Sequence, residues 1–233
     1  MDRITRKTLK DDRFAAEVTH SVEYLAEHRR QTLIYGGAAV VVAALALGIF
    51  FYRQNRKNAV HMALFRALET YHAAVSPEDV PGRITFRTEA EKNTQARKEF
   101  ESVVSGFSRT DEAGIARYYQ GLIYYQEDNV AEAQKRLEQL VAEGPGSVPS
   151  LARLTLAEIY TTQGKDEEAR KMYEYLIKNP TDLVSESRAQ LAMARFLGRR
   201  KPEEARKLLL DLEKRPGAVA AAAGTMLREM SQQ

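Results

Sequence analysis

An alanine recurs every 36 residues in the second half of this chain, at Ala133, Ala169 and Ala205, and few folds accommodate such a period. The same step relates Tyr124, Tyr160 and Phe196, and also Gly121, Ala157 and Met193. It relates Leu137, Tyr173 and Leu209, and finally Leu140, Leu176 and Leu212. Registers that repeat together in this way describe one helical hairpin per period: small residues let two backbones approach, and larger apolar residues fill the seam and the contact with the next hairpin. Breaks fall at Ser105-Gly106, Asp128-Asn129, Gly144-Pro145-Gly146, Gly164-Lys165, Asn179-Pro180 and Arg215-Pro216-Gly217. The segments between them, about 12 to 18 residues each, carry helical periodicity and no strand-like alternation. The predicted domain is all-α.

A second constraint lies upstream. Thr32 to Tyr52 is a run of 21 residues without a charge, and as a helix at about 1.5 Å per residue it covers roughly 31 Å, enough to cross a bilayer. A secretory signal peptide is the rival reading, since Ala44 and Ala46 offer a small-residue cleavage pattern. Against it, apolar residues continue to Phe51 and the polar segment before the run is unusually long. That segment, Asp11 to Arg30, has Phe14, Val18, Val22 and Leu25 at helical spacing, and its polar face mixes Asp11, Asp12, Glu17, Glu23 and Glu27 with basic residues. It is expected to be an amphipathic helix at the membrane surface that gains little from anionic lipid.

The search for chemistry returns little. Lys and Arg total 35 against 32 Asp and Glu, spread on both sides of the apolar run, so no nucleic-acid footprint is expected. There is no cysteine, which excludes disulfides, thiolate metal sites, a cysteine nucleophile and attachment as an N-terminal lipoprotein. Of the histidines, His20 and His28 precede the apolar run, while His61 and His72 fall eleven apart; a metal site needs three or four convergent ligands, and none is expected. Glu167-Glu168 and Glu203-Glu204 open helices, where negative charge complements the dipole, and Arg199, Arg200 and Lys201 close one, where positive charge does. No phosphate loop, nucleophile elbow or zincin helix occurs. The expectation is a protein that is not an enzyme and takes no cofactor.

The repeating unit resembles the tetratricopeptide repeat: a small residue, an aromatic three later, an alanine nine after that, a large apolar residue four further on, and a closing proline, here Pro145, Pro180 and Pro216. The resemblance covers Ile115 to Gly217, with no Trp, with Met193 for a small residue, and with Arg200 where a turn glycine is usual. Upstream, Leu68 and Tyr71 followed by Ala96, Phe100 and Val103 reproduce both halves, but Tyr71 and Ala96 are 25 residues apart against 9 between Tyr124 and Ala133. This reads as a degenerate leading hairpin with an insertion that includes the loop SPEDVPG. After the last repeat, Ala218 to Met230 places Val219, Ala222, Ala223, Met226, Leu227 and Met230 on one stripe, as a terminal cap should. The expected organisation is an amphipathic helical segment over 1–31, a transmembrane helix over 32–52, the degenerate hairpin over 53–107, three repeats over 108–217 and a capping helix over 218–233.

Solenoids of this kind commonly hold peptides or proteins on their inner surface. The register assigns Tyr118 and Leu122, Leu154 and Glu158, and Gln190 and Ala194 to that surface, and Tyr125 adjoins them. The Lys and Asn residues with which chaperone-clamping tetratricopeptide domains hold acidic C-termini are missing at those places. An N-terminal helix, an apolar span and a small repeat array together are similar to the YfgM-like family, ancillary subunits of the bacterial protein translocon. The resemblance implies an inner-membrane location with a cytoplasmic N-terminus and periplasmic repeats, and partners among translocon subunits, periplasmic chaperones or unfolded clients. The resemblance, not local charge, gives the orientation, because Arg13, Arg29 and Arg30 on one flank face Arg53, Arg56, Lys57 and Arg66 on the other. Two other readings stay open: an envelope structural or division-related adaptor, and a soluble periplasmic repeat protein released by cleavage near Leu47.

Overall fold

The protein is described here by a computed structural model covering residues 29–78 and 81–232. The amphipathic helix expected from Asp11 lies, as far as His28, outside the described residues. The chain divides into two units, Met1–Asn58 and Ala59–Gln233. Helix α1, Arg29–Tyr71, contributes to both.

Within the first unit α1 is apolar and uncovered. Leu33, Val40, Leu45, Ile49 and Phe50 are all more than half exposed, and an added Cβ at Gly36, Gly37 or Gly48 would meet nothing within 4 Å. From Leu33 onward this helix is long and apolar enough to cross a membrane.

The second unit is all-α apart from one short ladder. After the end of α1 come α2 (Glu89–Gly106), α3 (Asp111–Gln126), α4 (Val130–Glu143), α5 (Val148–Thr162), α6 (Asp166–Lys178), α7 (Glu186–Leu197), α8 (Pro202–Glu213) and α9 (Ala218–Ser231). Between α1 and α2, β1 (Ala74–Val75) pairs in parallel with β2 (Thr85–Phe86), Ala74 opposite Thr85. The ladder closes the SPEDVPG insertion, and a two-residue strand is too short to show alternation in sequence. Short polar side chains start several helices: Thr88, Thr110, Asn129 and Ser185 each accept a hydrogen bond from a backbone N–H in the first turn, which satisfies a donor the helix itself cannot.

Successive helices from α2 to α9 pack on one another, and α3 also touches α5, as α7 touches α9. The 36-residue register is the core of this stack. Ala133, Ala169 and Ala205 are fully buried, and so are Leu137, Leu176 and Leu209, with Tyr173, Leu140 and Leu212 nearly so. The reason for a small residue at Gly121 is direct: a Cβ there would sit 3.0 Å from Leu137 of the next helix. Gly114 is held likewise, 2.9 Å from the Pro145 ring that closes the repeat.

The turns inside the hairpins differ. Asp128 and Gly164 take φ of +58° and +71°, and the residue after each returns a hydrogen bond five residues back, Asn129 to Tyr124 and Lys165 to Tyr160. This is the left-handed helix stop that favours glycine. In the last repeat Arg200 stands at that place without positive φ, and Lys201 bonds only four residues back, to the Leu197 carbonyl at 2.7 Å. A side chain that resists the left-handed region leaves the helix by a different turn. The capping helix α9 buries Ala223 and half-buries Val219, Met226, Leu227 and Met230 against Ala194, Leu209 and Leu212. Ala222 departs from the expected stripe and is exposed, while Gly224 is buried instead. A Cβ at Gly224 would meet the Glu213 carboxylate at 3.1 Å.

Candidate functional site

Helices α3, α5 and α7 carry the residues expected to face a partner. Tyr118, Leu122 and Tyr125 are half-buried on α3. The Tyr118 hydroxyl lies 3.2 Å from the Thr155 hydroxyl on α5, and its ring meets Tyr119 edge-on at 5.6 Å. Burial pushes the Tyr118 phenol above its ordinary pKa, opposed by the bond to Thr155. Tyr119 turns the other way: it stacks on Phe100 at 5.3 Å and meets Tyr71 edge-on at 4.9 Å. Adjacent tyrosines on one helix thus serve its two neighbours, the preceding helices through Tyr119 and the following repeat through Tyr118. Tyr125 packs on the repeat core, and Tyr124 lies between the Arg97 and Arg136 guanidinium groups at 5.3 and 4.8 Å.

On α5, Leu154 belongs to the core at 8% exposure while Glu158 is exposed. Desolvation nevertheless raises the Glu158 carboxyl above its ordinary value, opposed by the charges of Arg195 and then Arg188 on α7. On α7, Gln190 is half-buried and donates to the Glu186 carboxylate at 2.8 Å, and its amide oxygen is buried without a hydrogen-bond partner. Ala194 has no exposed surface and packs with Leu209, Leu212 and Ala223. The accessible part of the strip is therefore Tyr118, Leu122, Tyr125, Glu158 and the edge of Gln190, with Leu154 and Ala194 drawn into the core.

Arg188, Arg195 and Thr155 had no place in the sequence-derived set. Thr155 follows Tyr118 by 37 residues and Arg195 follows Glu158 by 37, so cross-repeat partners stand one residue beyond the period, an offset that an equal-register overlay skips. Arg200 is likewise more than a solvated helix end. Its guanidinium donates to Asp166 at 2.8 Å and to the carbonyls of Phe196 and Thr161 at 3.3 Å, and it lies 4.7 Å over the Phe196 ring. Arg195, Arg199, Met226 and Met230 line an open cleft of about 400 Å³ beside it. His61 pairs with Glu112 at 3.2 Å, His72 lies edge-on to Tyr71, and no group of residues able to hold a metal ion occurs among the described residues.

A family model, the tetratricopeptide repeat-like domain, matches residues 27–207. The chain belongs to this tetratricopeptide repeat-like family. The matched range takes in the apolar span and the helices from α2 into α8. Tetratricopeptide repeat-like domains are generally non-catalytic scaffolds that bind other proteins, and the arrangement here, a stack of hairpins with one aromatic strip, has that form. No curated protein and no solved structure matches the chain.

Proposed function

We propose that this chain is a membrane-tethered interaction scaffold of the bacterial envelope, an ancillary translocon-associated subunit with chaperone-like character. Its N-terminus lies in the cytoplasm, Thr32 to Tyr52 forms the anchor, and the repeats stand in the periplasm. The observation that carries the reading is the strip of Tyr118, Leu122 and Tyr125 beside Glu158, framed by Arg188 and Arg195. Half-exposed aromatic and aliphatic side chains next to mixed charge suit an extended, partly apolar polypeptide better than one rigid charged ligand. The uncovered apolar helix supports the tether, because its leucines, valines and phenylalanines are unburied in the protein itself and a bilayer satisfies them.

The test is site-specific photo-crosslinking from Leu122 and Gln190 in the full chain, followed by identification of the adducts. Translocon subunits, envelope chaperones or nascent secreted chains are expected among them, and Tyr125→Ala should weaken capture by about 2 kcal/mol in affinity, as for an aromatic hot spot. Adducts confined to division or cell-wall proteins would move the reading to an envelope adaptor. A mature N-terminus near Leu47 would replace the tether with a released periplasmic protein, and protease protection of the repeats in spheroplasts would reverse the topology.

A further inference from the structure

The register of the inner strip does not stop at α7. Met226 and Met230 stand 36 residues after Gln190 and Ala194, so α9 takes the place of a further first helix. Both methionines are half-buried and pack against the cluster of Ala194, Leu209 and Ala223. The facing register on α7 changes character. Ile123 and Ile159 are fully buried in the first two repeats, and the third has Arg195 at that place, exposed. An isoleucine fills the seam with the next helix, whereas a guanidinium is too costly to bury unpaired and leaves it open. The opening is the cleft of about 400 Å³, with Arg195 and Arg199 one turn apart on α7 and Met226 and Met230 one turn apart on α9.

Charge in this cleft is not balanced from within. Arg200 is answered by Asp166 at 2.8 Å. Arg195 and Arg199 make no hydrogen bond or ion pair with any described residue, and Glu229 is the carboxylate that lines the same space. The dipole of α7 favours a cation in its last turn, but two like charges one turn apart repel, and a dipole asks for no thioether beside them.

We infer that the cleft holds an acidic segment of a polypeptide, a side-chain carboxylate on Arg195 and Arg199 and a neighbouring apolar side chain on Met226 and Met230. The inference rests on the scaffold reading for its class of ligand and not on the tether. Guanidinium forks match carboxylates in charge and geometry, and methionine adapts to side chains of different shape. A free phosphate would satisfy the arginines and leave the methionines unused. The size of the cleft lies in the range of small-ligand sites, so it takes a few residues of an extended chain and not a folded surface.

The test uses the full chain in detergent and three short labelled peptides, acetylated and amidated so that only side chains carry charge: aspartate alternating with leucine, aspartate with serine, and lysine with leucine. Fluorescence anisotropy is expected to show binding of the first, weaker binding of the second and none of the third. Arg195→Gln and Arg199→Gln should each weaken the first by roughly threefold to fivefold, the scale of a part-exposed ion pair. Glu229→Gln should strengthen it, a gain that damage to the fold cannot mimic. Arg206→Gln, at an exposed arginine on α8 outside the cleft, should change nothing. Equal binding of the serine peptide, binding of the lysine peptide, no binding of the first, no gain from Glu229→Gln, or an equal loss from Arg206→Gln would each overturn the assignment. Two further outcomes separate it from the strip. A peptide that responds to Tyr125→Ala but to neither cleft arginine sits on the strip, which removes the cleft and leaves the scaffold reading. One that responds to both arginines while Leu122 and Gln190 give no crosslinks keeps the cleft and removes the strip.

Discussion

Where the first repeat has Gly121, the leading pair of helices has Leu68, and the two regions are held together by different means. In the repeat, α3 and α4 come close backbone to backbone, with Leu137 over Gly121. In the leading pair, the end of α1 and α2 scarcely bring their Cα atoms within 8 Å, and side chains span the gap: Phe100, fully buried, lies among Val60, Leu64, Ala67 and Val103. A polar bridge reinforces it, Thr70 donating to Glu99 at 2.7 Å, while Gln126 of α3 donates to the Tyr71 hydroxyl at 2.8 Å and ties the end of α1 to the first repeat. The small residue of the motif is thus a distance setting in the first repeat, and in the leading pair its loss is met by a large ring where that repeat has Leu137.

The sharpest way to break this comparison is to remove that ring. Phe100→Ala should cost about 3 to 5 kcal/mol, more than Leu137→Ala, because a wide gap collapses poorly; a urea melt giving the smaller loss at Phe100 would mean the leading pair is not held by its ring. The register equivalent in the second repeat is Tyr173, 3% exposed, whose phenol burial pushes up to about 12 from 10.0. A raised pKa makes the stabilisation complete below about pH 10 and lost as pH climbs toward 12, because the unfolded chain ionises first. The loss is on the order of 2 kcal/mol, and Tyr173→Phe should remove that part of the alkaline decline, measured as melting temperature against pH.

Gly121→Leu gives the first repeat the leading pair's residue and should cost roughly 1 to 3 kcal/mol through overpacking against Leu137; a melt unchanged from the parent would show that close approach is not what the glycine serves. Smallest is Tyr118→Phe, which removes only the bond to Thr155 and should cost about 1 kcal/mol. If it weakens client capture while the melt hardly moves, the hydroxyl faces the partner more than the neighbouring repeat.

These contrasts also mark what sequence could reveal. The period of Ala133, Ala169 and Ala205 was legible because burial in stacked hairpins repeats with the backbone, and each of these positions is indeed fully buried. The candidate strip was legible only as a set of positions. Leu154 and Ala194 share its register yet are buried: α9 packs over Ala194, a contact outside the repeating unit, and Leu154 belongs to the core of the repeats. The β1–β2 ladder left no trace because two paired residues carry no pattern, and the partnership of Tyr118 with Thr155 crosses between repeats at an offset of one.

The turn at Arg200 has a consequence for how the array comes apart. In a linear stack each unit feels only its neighbours, so an end repeat normally frays on its own. Arg200 reaches from the last repeat back to Asp166 and to the Thr161 carbonyl of the one before. A glycine at that turn has no side chain with which to do this. The departure from the repeat's usual residue therefore exchanges an easy turn for a clasp, and the last two repeats should open as one cooperative block.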